Sequence, residues 1–85
     1  MVTCLFFAES KEVAGTKQSV FELSAPVTVA EFKTLYLLAR FPLLEPLLLN
    51  ALFAINLEYV SREEEGERQL ISDCELAILP PVSGG

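Results

Sequence analysis

The run from Val2 to Ala8 is apolar on both sides of a period-two alternation, with Cys4, Phe6 and Ala8 on one face and Thr3, Leu5 and Phe7 on the other. A strand that is apolar on both faces belongs in the middle of a sheet. The segment Glu75 to Leu79, near the other end of the chain, reads as a second central strand. Two central strands this far apart in sequence predict a parallel pair lying side by side, with everything between them forming a right-handed crossover. That requirement leaves few topologies open to a single small domain.

The intervening residues fill in the crossover. Glu9 to Lys17 is polar and contains Gly15, which predicts a turn or loop, and Gln18 to Leu23 alternates with Phe21 and Leu23 on one face and Glu22 on the other. These first two strands form an expected hairpin. Ser24-Ala25-Pro26 ends the second strand. Thr28-Val29-Ala30-Glu31 then has the spacing of a capping box, in which the hydroxyl accepts from an amide three residues on and the carboxylate reaches back. The helix that starts there places Val29, Phe32, Leu35, Tyr36 and Ala39 on one face. Pro42 stops it. A second short helix, Leu44 to Asn50, holds Pro46 in its first turn. Leu52 to Ile55 reads as the third strand, Asn56 to Glu58 as a turn, Tyr59-Val60 as a short edge piece, and Leu70-Ile71 as the approach to a turn at Ser72-Asp73. The expected fold is α+β, with a mixed sheet of four to five strands packed on one main helix in the β-grasp arrangement. This domain covers residues 1–79, and an extended, flexible tail covers 80–85.

Charge and composition exclude several classes of function. With 85 residues there is room for one core, and 52% hydrophobic residues with a mean hydropathy of +0.44 predict apolar surface left over for a protein partner. Six Lys and Arg against twelve Asp and Glu give a net charge of −6, which cannot form the basic stripe that nucleic acid needs and disfavours an anionic membrane surface. The longest apolar stretch, 35–55, is broken by Arg40, Pro42, Glu45, Pro46 and Asn50, so no spanning helix is expected. Val2 to Ala8 lacks the basic leader of a signal peptide. The chain has no histidine, which rules out histidine relays and helical zinc motifs, and two cysteines alone cannot complete a tetrahedral zinc set; no metal is expected. Cys4 is expected in the core and Cys74 as a partly exposed thiol, unpaired, in the cytoplasm. Glu63, Glu64, Glu65 and Glu67 around Gly66 read as a solvated loop tip.

The last six residues, Pro80-Pro81-Val82-Ser83-Gly84-Gly85, have a different character. Two prolines stiffen the exit from the last strand, and two glycines carry the main-chain carboxylate without side chains. Six extended residues reach about 20 Å, enough to cross a partner's wall into its active site. The candidate reactive group is the terminal carboxylate of Gly85.

Asp73 through Gly85, with its acidic turn, alternating strand and Pro-Pro-Val-Ser-Gly-Gly tail, carries a family resemblance. Ala54-Ile55-Asn56 followed by Tyr59-Val60, the Val2 to Ala8 strand, Ala14-Gly15, and the Thr28 to Phe41 helix with Pro42 behind it extend that resemblance over nearly the whole chain. The sequence resembles the small sulfur carrier subunit of molybdopterin synthase, in the ubiquitin-like β-grasp family. Relatives place a glycine or acidic residue where Cys74 stands, and the loop around Gly66 is more acidic than theirs.

The resemblance implies a cycle of chemistry at Gly85. A carboxylate is ionised at neutral pH and a poor electrophile. An ATP-dependent, E1-like adenylating enzyme converts it to an acyl-adenylate, and a sulfur donor, a sulfurtransferase or cysteine desulfurase, displaces AMP to leave a thiocarboxylate. The sulfur then passes to a pterin precursor to build the dithiolene of the molybdenum cofactor. The AMP adduct and the sulfur are transient, and no resident cofactor is implied. Catalytic groups belong to the large subunit of the synthase, assembled with this chain as a heterotetramer. Pro80 and Pro81 reduce the entropy lost on threading, Val82 fills an apolar notch, Ser83 offers a hydroxyl, and Gly84 leaves space where a Cβ would collide. Leu5, Phe7 and exposed parts of Leu44 to Phe53 are candidates for docking, each weighed against a place in the core. Three alternatives stay open: a ubiquitin-like modifier conjugated through Gly85, a sulfur carrier for thiazole or transfer-RNA thiolation, and a binding module with an inert end.

Overall fold

The computed structural model describes residues 1–71 and 73–79. Ser72, half of the expected turn, and the whole of 80–85 lie outside the described residues. β1 (Val2–Phe6) and β2 (Gln18–Phe21) form the expected antiparallel hairpin, with Val2 opposite Phe21 and Leu5 opposite Gln18. Between them lies a helix, α1 (Glu9–Ala14), where the polar composition predicts a loop. Ser10 explains the difference: its fully buried hydroxyl donates to the Phe7 carbonyl at 2.6 Å and accepts from the Phe7 amide at 3.0 Å. Gly15, at φ 75, closes α1 by donating to the Lys11 carbonyl.

The crossover proceeds through β3 (Val27–Thr28) into a helical segment, α2, spanning 29–40. Its N-terminus is the predicted capping box: Thr28 Oγ1 accepts from the Glu31 amide at 3.1 Å and Glu31 Oε1 from the Thr28 amide at 2.9 Å. The helix is not α throughout. Residues Lys33–Leu37 form a π turn, in which the Leu38 amide reaches back five residues to the Lys33 carbonyl. One extra residue in the turn rotates everything after it, so the buried stripe runs Val29, Phe32, Leu37, while Leu35 is 63% exposed and Ala39 faces solvent. The uninterrupted helical spacing expected for Leu35 and Ala39 is therefore corrected. Replacing Leu37 with alanine should cost about 2–5 kcal/mol in urea unfolding; replacing Leu35 should cost about 0.5 kcal/mol or less.

Arg40, at the end of α2, lies 3.9 Å from the Phe21 ring centroid and donates to Ser19 Oγ and the Val20 carbonyl, each at 2.8 Å. This occupies a backbone acceptor of the edge strand β2 that another chain could otherwise use. A 3-10 turn, Pro42–Leu44, leads into α3 (Glu45–Leu48), with Pro46 in its first turn as expected.

β4 (Leu52–Ile55), β5 (Glu58–Val60) and β7 (Cys74–Leu79) complete the main sheet, whose order is β2-β1-β7-β4-β5. β1 and β7 are parallel neighbours, Val2 opposite Cys74 and Phe6 opposite Ile78, as two centrally placed apolar strands require. Two short strands escaped the sequence reading: β3 pairs with β6 (Gln69–Leu70) in a separate two-stranded sheet. Val29 and Ala30 amides donate to the Arg68 and Glu65 carbonyls beside it, so the pair is held by tertiary contact and not by local propensity. The core lies between the main sheet and α2, and includes Phe6, Phe21, Phe32, Phe53, Leu76 and Ile78. Phe21 and Phe32 meet edge to face at 4.9 Å. This is the β-grasp arrangement.

Candidate functional site

β7 fixes the origin of the C-terminal segment. It pairs with β1 on one side and β4 on the other, and Leu79, its last residue, stands opposite Leu52 at the start of β4. The segment therefore leaves from the middle of the sheet, at the edge where β1 also ends. Gly85, Gly84, Ser83, Val82, Pro81 and Pro80 all lie outside the described residues.

The sheet face turned away from α2 surrounds that origin. Alternation along the strands puts Cys74, Leu76 and Ile78 in the core and Glu75, Ala77 and Leu79 on the opposite, open face. The register sets Leu5, Ala77, Ala54 and Tyr59 in one row across four strands. Tyr59 is 68% exposed; Phe7, Leu52 and Val20 are about half exposed. Of the two residues weighed between docking and core, Phe7 stands at the surface and Leu5 is half-buried on the same face. Of the region 44–53, Leu44, Leu48, Ala51 and Phe53 are core, whereas Leu49 and Leu52 are exposed. Tyr59 was not singled out by the sequence, because its place in the row depends on the β4–β5 turn. Asn56 and Leu57 there both take positive φ, 48° and 71°, in a two-residue hairpin turn that usually carries glycine. The Asn56 side chain accepts from the Glu75 amide at 2.9 Å, which ties this turn to the start of β7.

The thiols contribute no chemistry of their own. Cys4 is fully buried, and burial pushes its pKa up from 9.0 to about 12. Cys74 does follow the turn at Asp73, but it is buried at the start of β7 and not partly exposed as expected, and burial raises its pKa as well. Neither is a thiolate at neutral pH, so neither is a sulfur nucleophile. The unfolded chain releases the Cys4 proton above pH 9.0, while the folded chain retains it up to about pH 12. Stability conferred by the neutral thiol is present below pH 9.0 and lost as pH rises through that window. The fall should be steeper than in Cys4→Ala by about 1.4 kcal/mol per pH unit, read from urea unfolding.

The acidic loop is more structured than a solvated tip. Ser61 and Glu64 make a second capping box around a 3-10 turn, Arg62–Glu64. Hydrogen bonding from the Ser61 amide, then its hydroxyl, and to a lesser degree the Arg68 charge hold the Glu64 carboxyl below its usual range. Glu65 is buried and ion-paired with Lys33 at 2.8 Å. The π turn places Lys33 where it can also approach the Phe53 ring, at 5.6 Å. Among the described residues, no three Cys, Asp or Glu gather as a metal site, and no helix is long and apolar enough to cross a membrane.

This sheet order, with its crossover helix and C-terminal segment leaving a central strand, defines a ubiquitin-like β-grasp protein. The chain belongs to the ThiS family, whose profile matches residues 4–85. It is 37% identical over 84 residues to the molybdopterin synthase sulfur carrier subunit of Chlamydomonas reinhardtii, covering 99% of this chain and 98% of that protein. It is 39% identical over 85 residues to the protein of the same name from Drosophila yakuba, with 99% and 90% covered. Among solved structures, SAMP1, a small archaeal modifier protein, from Haloferax volcanii superposes with a TM-score of 0.81 at 26% identity, covering 99% of this chain and 98% of that one.

Proposed function

We propose that this protein is the sulfur carrier subunit of a molybdopterin synthase, and that Gly85 carries the sulfur as a thiocarboxylate. The observation that carries this reading is the end-to-end similarity to proteins bearing that name, which includes the segment matched as far as Gly85. The buried, protonated thiols support it, since sulfur chemistry then needs a group elsewhere in the chain. In the proposed cycle, a carboxylate oxygen of Gly85 attacks the α-phosphorus of ATP on an adenylating enzyme and pyrophosphate leaves. The terminal sulfur of a persulfide on a sulfurtransferase or cysteine desulfurase then attacks the carbonyl carbon, and AMP leaves. A second thiol attacks the donor-side sulfur of the resulting acyl disulfide, which breaks the S–S bond, leaves a disulfide on the donor side and frees the thiocarboxylate. The resulting sulfur anion is the nucleophile delivered to the pterin precursor inside the large subunit.

The open face is the proposed docking surface for the large subunit. In the row Leu5, Ala77, Ala54, Tyr59 all four residues are apolar in character: Tyr59 is exposed, Leu5 and Ala77 are half-buried and Ala54 is buried beneath its neighbours. With Phe7 and Leu52 the row lies beside the origin of the tail. A partner seated there would receive the tail directly. Intact-mass analysis of protein from its native cell tests the assignment: a fraction should carry one sulfur in place of a terminal oxygen, and mixing with the large subunit and pterin precursor should consume it. The likeness to SAMP1 favours a second reading, conjugation of Gly85 to a lysine of a target protein. Lysine-linked adducts instead of a recycled free carrier would establish that alternative.

A further inference from the structure

We propose that the cleft between the end of β1 and the start of β2 is a resting seat for this chain's own C-terminal carboxylate or thiocarboxylate. The inference rests on the reading of Gly85 as the working end and adds a state in which that end is held when no partner is bound. The cleft has a volume of about 410 Å³, a floor formed by Leu5, Phe6, Phe7 and Ala8, and a rim that includes Lys11 and Lys17. In a chain of net charge −6, the remaining cations are engaged: Lys33 with Glu65, Arg68 with Glu58 and Glu64, Arg40 with Phe21 and β2, and Arg62 with the Leu49 carbonyl. Among the described residues, Lys11 and Lys17 have no ion-pair partner, and they flank the same cleft. An anion with a short apolar lead-in is the complementary ligand.

The chain supplies such a ligand close by. β1 and β7 are parallel with Phe6 opposite Ile78, so β7 ends beside the mouth of the cleft, one to two strand spacings away, or about 5–10 Å. The six residues after Leu79 reach up to about 20 Å, which leaves slack for two extended prolines and a reversal. Val82 would lie on the apolar floor, and the terminal anion would meet the two ammonium groups. Oxygen and sulfur forms carry the same charge, so the seat accepts both. Because Leu5 and Phe7 belong both to the cleft and to the proposed docking face, a partner that binds there displaces the tail, and the two states exclude each other.

The test is solution NMR on the full 15N-labelled chain at low salt. The Gly84 and Gly85 amides of the wild type should differ in shift from those of a free peptide of the same sequence. In the double variant Lys11→Glu, Lys17→Glu they should collapse onto the peptide values, with the double Lys→Gln variant falling between. Deleting Gly84 and Gly85 should move the Lys17 and Gln18 amides in return. Tail resonances that coincide in wild type and charge-reversed protein would overturn the seat, and so would a shift that disappears on dilution, since the occupant would then be another copy's tail. Either failure leaves sulfur loading of Gly85 intact, because mass analysis of the wild type reads that separately.

Discussion

Replacing Gly84 with valine should abolish sulfur delivery while leaving the thermal unfolding midpoint of the domain unchanged. Among the described residues, the core ends at Ile78, and β7 is secured by β1 and β4 before Leu79 is passed. A substitution at position 84 therefore removes nothing from that core. Its effect falls on the passage proposed to admit this segment, where a glycine presents no Cβ and a valine adds two methyl groups and a stiff χ1. A displacement of the reacting carbon by about 1 Å is enough to reduce a rate about 100-fold, and a branched side chain in a passage fitted to glycine should displace it by more. Single-turnover consumption of the thiocarboxylated variant with the large subunit measures this step alone. Deletion of Gly85 should block an earlier one, adenylation, again with an unchanged midpoint. A fully active Gly84→Val protein would contradict the narrow passage, and an equal loss of stability would assign the residue to the fold.

Much of this architecture was readable because it depends on local or pairwise rules. The parallel pairing of β1 with β7 follows from two apolar runs at opposite ends of the chain that both belong at the middle of one sheet, and the start of α2 follows from Thr28 and Glu31 at capping-box spacing. What escaped the sequence reading depends on distant partners. Sequence alone groups Glu65 with three other glutamates around Gly66, yet it is buried beside Lys33, 32 positions earlier in the chain, which supplies its counter-charge. The π turn carries no sequence marker, so uninterrupted helical spacing predicts burial for Leu35 where the structure exposes it. α1 is short and polar, and it relies on a buried Ser10 that composition classes with loop residues. Cys74 follows the turn at Asp73 as expected, but as the first residue of β7 it faces the core, which its neighbours in sequence do not reveal. As for the site, the tail is legible as a string of residues, whereas the open face is not. Tyr59 joins Leu5, Ala77 and Ala54 only once the strand register is fixed, and an Asn56-Leu57 turn without glycine does not advertise that register.

Ala77→Glu should cost the complex far more than it costs the domain. Ala77 lies at the centre of the open face, between Leu5 on β1 and Ala54 on β4, with its side chain turned away from the core. In the free protein a glutamate there can direct its carboxylate into water, so the penalty is that of strand preference, about 1 kcal/mol or less. In the proposed complex the same carboxylate is covered by an apolar partner surface with no cation supplied for it. The row offers only Leu5, Ala54 and Tyr59 as neighbours, and an uncompensated buried charge costs about 3–5 kcal/mol. Affinity for the large subunit should fall by two to three orders of magnitude at about 1.4 kcal/mol per tenfold, measured by titration calorimetry, while the urea midpoint moves little. Leu35→Glu, at an exposed site on α2, is the matched control and should bind normally. Unchanged affinity in Ala77→Glu would place the partner on another surface, and loss of affinity in both variants would point to charge alone; only a loss confined to Ala77 ties the origin of the tail and the docking face into one site.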